Sequence, residues 1–317
     1  TGFEALDCDM VARHIHLGAG ANPNFWQRLA LESELSCGEI RAREVSVKDL
    51  HARLVGKAGV FDLQPVTMGL FGGSLAASLR ADVSGEVPTY QLRLSLPSFR
   101  IEQFLKTLSP HRAAEGDMDF TANLSMRGAT GKEVVRSAAG SISLRAARLT
   151  LVGNDLDHAI EKFDSNRRFG LADVGAVFLA GPLGLVVTRG YGYAGLFMGS
   201  GGTTHIAPLI SEWKVEHGIA EAQDVAMATP RNRIAIRGGL DFVNERFSDM
   251  TVAVIEPGGC ARARQIIRGT FAKPELENPS WITTLAGPMT GVYRLVRHAL
   301  PEEPCAVVYA GSVAPPR

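Results

Sequence analysis

From Tyr90 to Leu96 every second residue is apolar, with Tyr90, Leu92, Leu94 and Leu96 set against Gln91, Arg93 and Ser95. From Met118 to Met126 the pattern returns, with Phe120, Ala122 and Leu124 set against Asp119, Thr121, Asn123 and Ser125. Successive side chains of a strand point to opposite faces, so these stretches predict strands with one apolar and one wet face. The same period recurs in Leu29 to Leu35, Leu50 to Leu54, Leu75 to Val83, Ile142 to Ala146, Ile234 to Ile236 and Met250 to Val254. Gly, Asn or Pro usually separate them, as turns between strands require. Parallel strands buried on both faces would read as continuous apolar runs, so the sheet is expected to be antiparallel.

Helical patterns are few. Ser98 is placed to cap a short amphipathic helix carrying Phe99, Ile101, Phe104, Leu105 and Leu108 and ending at Pro110. Asn154 and Asp155 precede Leu156, Ile160 and Phe163 at helical spacing, and a third helix is expected within Ile282 to Ala299. None is long enough to organise a bundle, so each is expected to cover a sheet. The polar stretch Ser165 to Gly170 is a soft boundary, and Phe169 to Gly202 has no clean period from which to assign elements.

Of 317 residues, 45% are hydrophobic and 21% charged, enough apolar material to fold the whole chain around a large core. Basic and acidic residues number 33 each, so no global field draws in nucleic acid or an anionic surface, and no nucleic-acid partner is expected. The longest apolar stretch, Val174 to Thr188, is shorter than the ~18 to 20 residues of a membrane-spanning helix and is broken by Gly175, Gly181, Pro182 and Gly184. With Thr1 first and no secretory leader pattern, the chain reads as a processed or excised piece.

The four cysteines, Cys8, Cys37, Cys260 and Cys305, show no CxxC metal spacing. Their even number permits two bridges. Cys8 and Cys37 would face each other if the flanking segments form a hairpin across Gly18 to Asn24, and Cys260 and Cys305 bracket a turn-rich segment that a bridge would close. Such bridges persist mainly in oxidising compartments; the alternative is four buried thiols in a reducing one.

Candidate chemistry is thin. Gly190 to Gly195 matches GxGxxG, but no helix pattern follows the glycines as a dinucleotide site needs. Gly199 to Gly202 resembles part of a serine-protease nucleophile loop, with Met198 in place of the leading glycine and no partner for a general base. His14 and His16 share a strand face without an evident third ligand, and Glu32 with Glu34, and Asp117 with Asp119, fit the wet face of a sheet. No catalytic residue, metal or cofactor is expected. The apolar faces leave a choice: many one-sided strands have few helices to cover them, so either two sheets pack together or one sheet leaves an apolar surface open.

The order of several phrases resembles the AsmA family of Gram-negative envelope proteins. These phrases are Gly59 to Pro65, Leu70 to Ser74, Gly116 to Gly128, Gly140 to Leu144 and Leu156 to Phe163, then Ile206 to Trp213, Val215 to Ala220, Asp224 to Thr229, Arg233 to Asp241 and Gly269 to Pro274. The resemblance implies a mainly β fold, an elongated and curved antiparallel sheet forming a groove with a few short covering helices. It implies one periplasmic domain over 1–317, with two lobes, 1–165 and 166–317, as the alternative division. An inner-membrane anchor would lie in an N-terminal helix outside this chain.

The function implied is non-catalytic support of outer-membrane biogenesis by binding or transferring phospholipid, or another acyl-chain ligand, in an apolar groove. The groove-face residues are then Leu75, Leu79, Leu92, Leu94, Leu96, Phe120, Leu124, Ile142 and Leu144, and the resemblance adds a terminal Cys260–Cys305 bridge. The chain is short for a conduit between two membranes. The rival reading is a scaffold that engages envelope assembly proteins through exposed strand edges.

Overall fold

A computed structural model describes residues 4–17, 25–42, 45–107, 114–166, 201–277, 280–281, 305 and 307–316. The strands are β1 (Glu4–Leu17), β2 (Leu29–Ala42), β3 (Val45–Lys57), β4 (Val60–Leu70), β5 (Gly73–Asp82), β6 (Thr89–Arg100), β7 (Ala114–Glu115), β8 (Asp117–Arg127), β9 (Ala139–Ala146) and β10 (Leu149–Val152), followed by β11 (Thr203–Ile206), β12 (Leu209–Glu216), β13 (Ile219–Ala228), β14 (Arg233–Asp241), β15 (Arg246–Ile255), β16 (Ala261–Gly269), β17 (Pro274–Leu276) and β18 (Ser280–Trp281). The helices are α1 (Phe25–Arg28), α2 (Ile101–Lys106), α3 (Gly131–Ser137) and α4 (Leu156–Asn166).

The expected one-sided strands form one large antiparallel sheet that does not close on itself. It runs β1-β2-β3-β4-β5-β6-β8-β9-β12-β13-β14-β15-β16-β17, with β18 also pairing β16. The direct pairing of β9 with β12 carries the sheet without interruption across the soft boundary near residue 165. A second sheet, β11-β10-β7, has three short strands. Three hairpins turn through two residues with positive φ, Ala58-Gly59, Phe71-Gly72 and His217-Gly218. Such turns match the twist of the strands they join.

The two longest described connections, β6 to β8 and β9 to β12, leave the same end of the sheet, whereas the one that forms α3 leaves the other. Between β6 and β8 the chain makes α2, whose Ile101, Phe104 and Leu105 are buried beside Phe99. Between β9 and β12 it makes β10, α4 and β11, which contribute Leu149, Leu151, Leu156, Ile160 and Ile206 to the same buried cluster. Trp213 and Leu209 of β12 sit within that cluster, at 1% and 0% exposure.

The opposite face of the C-terminal strands carries small residues. Ala226, Ala235 and Ala253 lie side by side across β13, β14 and β15, leaving room for the C-terminal tail to pack Tyr309 and Val313 against them. Asp224 holds the tail: it accepts from the Tyr309 hydroxyl at 2.6 Å and from the Ser312 backbone N–H and hydroxyl at 3.0 and 2.6 Å. Arg233 lies over the Tyr309 ring at 5.5 Å and donates to the Val313 carbonyl at 3.0 Å. Both disulfides are formed, Cys8–Cys37 and Cys260–Cys305, the second fastening the tail.

The helix expected from Ser98 begins later. Phe99 pairs with Met118 across the sheet, so β6 continues to Arg100 through a bulge in which Ser98 has φ 50° and gives its N–H to Asp119 at 2.8 Å. Arg100 therefore stands at the N-cap without a side-chain cap bond. Asp155 does cap α4, accepting from the His158 N–H at 2.9 Å. The sequence reading missed α3, whose Thr130 and Glu133 form a capping box; Thr-x-x-Glu was the available signal. Ile282 to Ala299, Phe169 to Ser200 and the GxGxxG phrase lie outside the described residues.

Two outcomes follow from this packing. Gly140 has φ +144°, and a Cβ there would run into the Asn123 carbonyl oxygen of the neighbouring strand. Gly140→Ala is expected to cost about 1 to 3 kcal/mol in urea unfolding, and an unchanged midpoint would refute the close approach. Burial opposes the charge of Asp224, but the bonds from Ser312 and Tyr309 outweigh it and hold the carboxyl below its ordinary range, while burial and Asp224 push the Tyr309 hydroxyl up. A depressed folded-state carboxyl contributes stability above its unfolded pKa of about 3.9 and loses it as pH falls through the folded value. Hydrogen exchange at Ser312 and Val313 should thus accelerate in that acid window, and Asp224→Asn should abolish the acid limb at a cost of about 1 to 3 kcal/mol at neutral pH.

Candidate apolar binding face

Residues directly opposite each other in an antiparallel sheet share a face, so the register assigns the faces. One row runs Leu54, Leu63, Leu79, Leu92, Leu124, Gly140 and Val215 across β3, β4, β5, β6, β8, β9 and β12. The next runs Leu35, Ala52, Val66, Ala77, Leu94, Ala122, Ile142 and Trp213. A third contains Leu31, Gly56, Phe61, Ala81, Tyr90 and Met126. No charged residue interrupts these rows.

The reverse face is polar and wet. It carries Arg53 paired with Glu32 at 2.6 Å, Arg80 paired with Asp62 at 2.9 Å, and exposed Gln91, Arg93 and Ser95. A shallow concavity of about 520 Å³ lies mainly on this side, among Gln64, Ser78, Arg93, Thr121 and Asn123. Pro65, Ala76 and Leu94 share its walls with these polar side chains.

Burial along the apolar face is uneven. In the first row Leu54, Leu63, Leu79, Leu92 and Leu124 are all half-buried, whereas Val215 is covered. In the second, Leu94 and the residues toward β2 are half-buried, and Ala122, Ile142 and Trp213 are covered. The cause is the one-ended delivery of α2, α4 and the small sheet, which fill the face over the C-terminal strands and over the α2 end of β5 and β6, around Leu75 and Leu96, and among the described residues leave the rest of β2 to β6 open. Flanks shielded by neighbouring strands and a tip in water give the half-burial.

The nine expected face residues thus divide. Leu79, Leu92, Leu94 and Leu124 stand on the open part. Leu75, Leu96, Phe120, Ile142 and Leu144 are 1% to 9% exposed and belong to the packed cluster that includes Phe104 and Leu105 of α2. Phe120 and Leu144 are neighbours in one row with Leu96, where the covering helix leaves no open surface.

The open part also has members that the sequence reading did not name. Leu54, Leu63, Phe61 and Met126 belong to it by register. At its edge Trp26 of α1 meets the Phe61 ring edge-on at 5.9 Å and remains 55% exposed. Alternation marked Leu54, but assigning β4 to a face requires the register shift between Leu63 and Val66, which alternation alone does not reveal.

The remaining candidates are separate from this face or from one another. Glu32 and Glu34 both approach Arg53, at 2.6 and 3.8 Å, as a solvated ion-pair cluster. Asp119 serves the Ser98 bulge and Asp117 is exposed. His14 and His16 lie in β1. Among the described residues no group of three or more His, Cys, Asp or Glu is placed to hold a metal ion, and no helix is long and apolar enough to cross a membrane.

Comparison with protein families gives a match to the AsmA family over residues 20–181. The match takes in β2 to β10 and the phrases from Gly59 to Phe163, and stops before the later series that begins at Ile206. No curated protein and no solved structure matches the chain.

The burial gradient has a direct energetic consequence. Leu144→Ala, which opens a cavity in packed surroundings, is expected to cost about 2 to 5 kcal/mol, and Leu92→Ala less than about half of that. Urea unfolding of the two variants measures the difference; equal losses would mean that the face over β6 is covered after all.

Proposed function

Because the chain belongs to the AsmA family, we propose that its open apolar face binds the acyl chains of phospholipid in the service of outer-membrane biogenesis. Membership of this envelope family is consistent with envelope and outer-membrane biogenesis in general. The observation that carries the finer reading is the uninterrupted row of half-buried leucines, Leu54, Leu63, Leu79, Leu92 and Leu124, with a polar face behind it.

Adjacent strands lie about 4.8 Å apart, so the row from β3 to β8 spans roughly 19 Å. One leaflet of a bilayer's hydrocarbon core is about 15 Å deep, so an acyl chain laid across the strands fits the row. Each methylene kept from water contributes about 0.8 kcal/mol, and a surface of leucines without directional polar groups accepts chains of mixed length. The covered C-terminal half would end the binding surface on one side, which makes this chain a holding or hand-over site. A polar headgroup would sit beyond the rows, in water.

The two disulfides support a periplasmic setting, since such bonds persist in oxidising compartments. The role proposed is binding, with no catalytic step, and the inner membrane is the proposed neighbour through sequence outside this chain. A scaffold working through strand edges would leave the leucine face empty, which separates that rival experimentally.

Native mass spectrometry of the purified chain should show co-purified phospholipid, or uptake after incubation with phosphatidylethanolamine and phosphatidylglycerol vesicles. Leu92→Arg with Leu124→Arg should cut occupancy at least ~10-fold, since charges at an acyl contact are costly to desolvate. A clean unliganded mass under both conditions would sink the lipid reading.

A further inference from the structure

On the wet face of the sheet, opposite the leucine rows, Arg93 of β6 is exposed and has no side-chain partner among the described residues. Its neighbours of like charge are matched across strands: Arg53 with Glu32, Arg80 with Asp62 and Arg145 with Glu212. The register explains the difference. Ser78 and Asn123 stand to either side of Arg93, and Gln91 and Ser95 share its face along β6. Of the diagonal positions Ala76, Thr121 and Ser125 are neutral, and Arg80 is clasped by both Asp62 oxygens at 2.9 and 3.0 Å. No carboxylate stands beside or diagonal to Arg93.

The same arginine lies in the concavity of about 520 Å³ on this side. β4 shapes one flank of it: between Leu63 and Val66 its register with β5 shifts, so Gln64 and Pro65 together stand opposite Ser78. Bulges of this kind re-aim side chains and recur next to binding and active sites. β8 supplies the other flank with Thr121 and Asn123. Like Arg93, the side chains of Gln64, Ser78, Ser95, Thr121 and Asn123 make no hydrogen bond within the described residues. A volume between about 300 and 1,000 Å³, with a few convergent polar groups among apolar walls, is that of a small-molecule site.

We infer that this concavity binds the phosphoryl group of a polyol phosphate, either a soluble ester or the headgroup of a glycerophospholipid. One cation with no acid nearby selects an anion. A guanidinium donates in a fork to two oxygens, which by itself satisfies a carboxylate. Ser78 and Asn123, with Cβ atoms about 5 Å to either side, add donors for a further oxygen, which a phosphoryl group has and a carboxylate lacks. Gln64, Ser95 and Thr121 both donate and accept, as the hydroxyls of a polyol require. Pro65 and Ala76 give its C–H groups an apolar wall. The site and the leucine rows lie on opposite faces, so this inference does not rest on acyl-chain binding.

Isothermal titration of the 317-residue chain with glycerol 3-phosphate in ~0.1 M salt should give a dissociation constant on the order of 1 mM, and glycerol should give no heat of binding. Arg93→Gln should weaken binding at least ~10-fold and Asn123→Ala about 3-fold, as the loss of a charged and of a neutral hydrogen bond requires. Arg53, three strands away at about 14 Å, lies beyond the ~10 Å screening length, so Arg53→Gln should change it less than ~2-fold. Flotation with phosphatidylglycerol vesicles is the second arm. Arg93-dependent binding in the titration alone assigns a soluble ester, and in the flotation alone a lipid headgroup. Circular dichroism and urea midpoints verify that each variant is folded. No Arg93-dependent binding in either arm, or equal losses in Arg93→Gln and Arg53→Gln, would overturn the site.

Discussion

Cross-strand register is the constraint from which the rest of this structure follows. Side chains alternate with period two, so a slip of one residue in any hairpin would exchange leucines for the arginines and carboxylates beside them. In β6 a slip would bring Arg93 to the face that Leu92 and Leu94 now share, opposite Leu124 and Ala122. Charged side chains on the reverse, such as Arg80 with Asp62, reinforce the same register from the wet side. Exposed pairs of this kind are individually weak, roughly 0 to 1 kcal/mol, so they select among registers more than they stabilise the sheet.

A fixed register creates two faces but does not decide which is covered. That is settled by where the chain spends its long connections. The connections β6 to β8 and β9 to β12 leave the same end of the sheet and bring Phe104 and Leu105 against Phe99, and Ile160 and Ile206 into the cluster that holds Leu209 and Trp213. β3, β4 and β5 are joined by two-residue turns that have no residues to spare for cover. The reverse of the C-terminal half is closed differently, by a row of alanines small enough to let Tyr309 and Val313 lie flat. Among the described residues the C-terminal strands are therefore packed on both faces, and much of β2 to β6 is a single layer.

This division explains which features could be read from sequence. Alternation revealed the strands and their antiparallel sense, because its cause is local. The Cys8–Cys37 pair was legible as the consequence of a hairpin across Gly18 to Asn24. The helix at Ser98 was misplaced because Phe99 answers to Met118 on the next strand, a tertiary partner that outweighs a capping preference. The status of Leu144 against Leu92 was not legible at all. Both are apolar residues of one sheet face, and only the position of distant segments makes one core and the other surface.

The two disulfides sit where burial is least able to do their work. Among the described residues β1 is hydrogen-bonded to β2 and buries little, as Met10 shows, so it would fray early if that burial alone held it. The tail has a similar problem: it rests on alanines, which offer little apolar area, and is held by hydrogen bonds around Asp224 and Arg233. In the chain-entropy description, closing loops with sequence separations of 29 and 45 residues contributes about 3 to 4 kcal/mol each. That contribution is independent of apolar area. A sheet can thus leave a leucine face open and still keep its first strand and its tail in place, because covalent links at both extremes replace the burial that the open face forgoes.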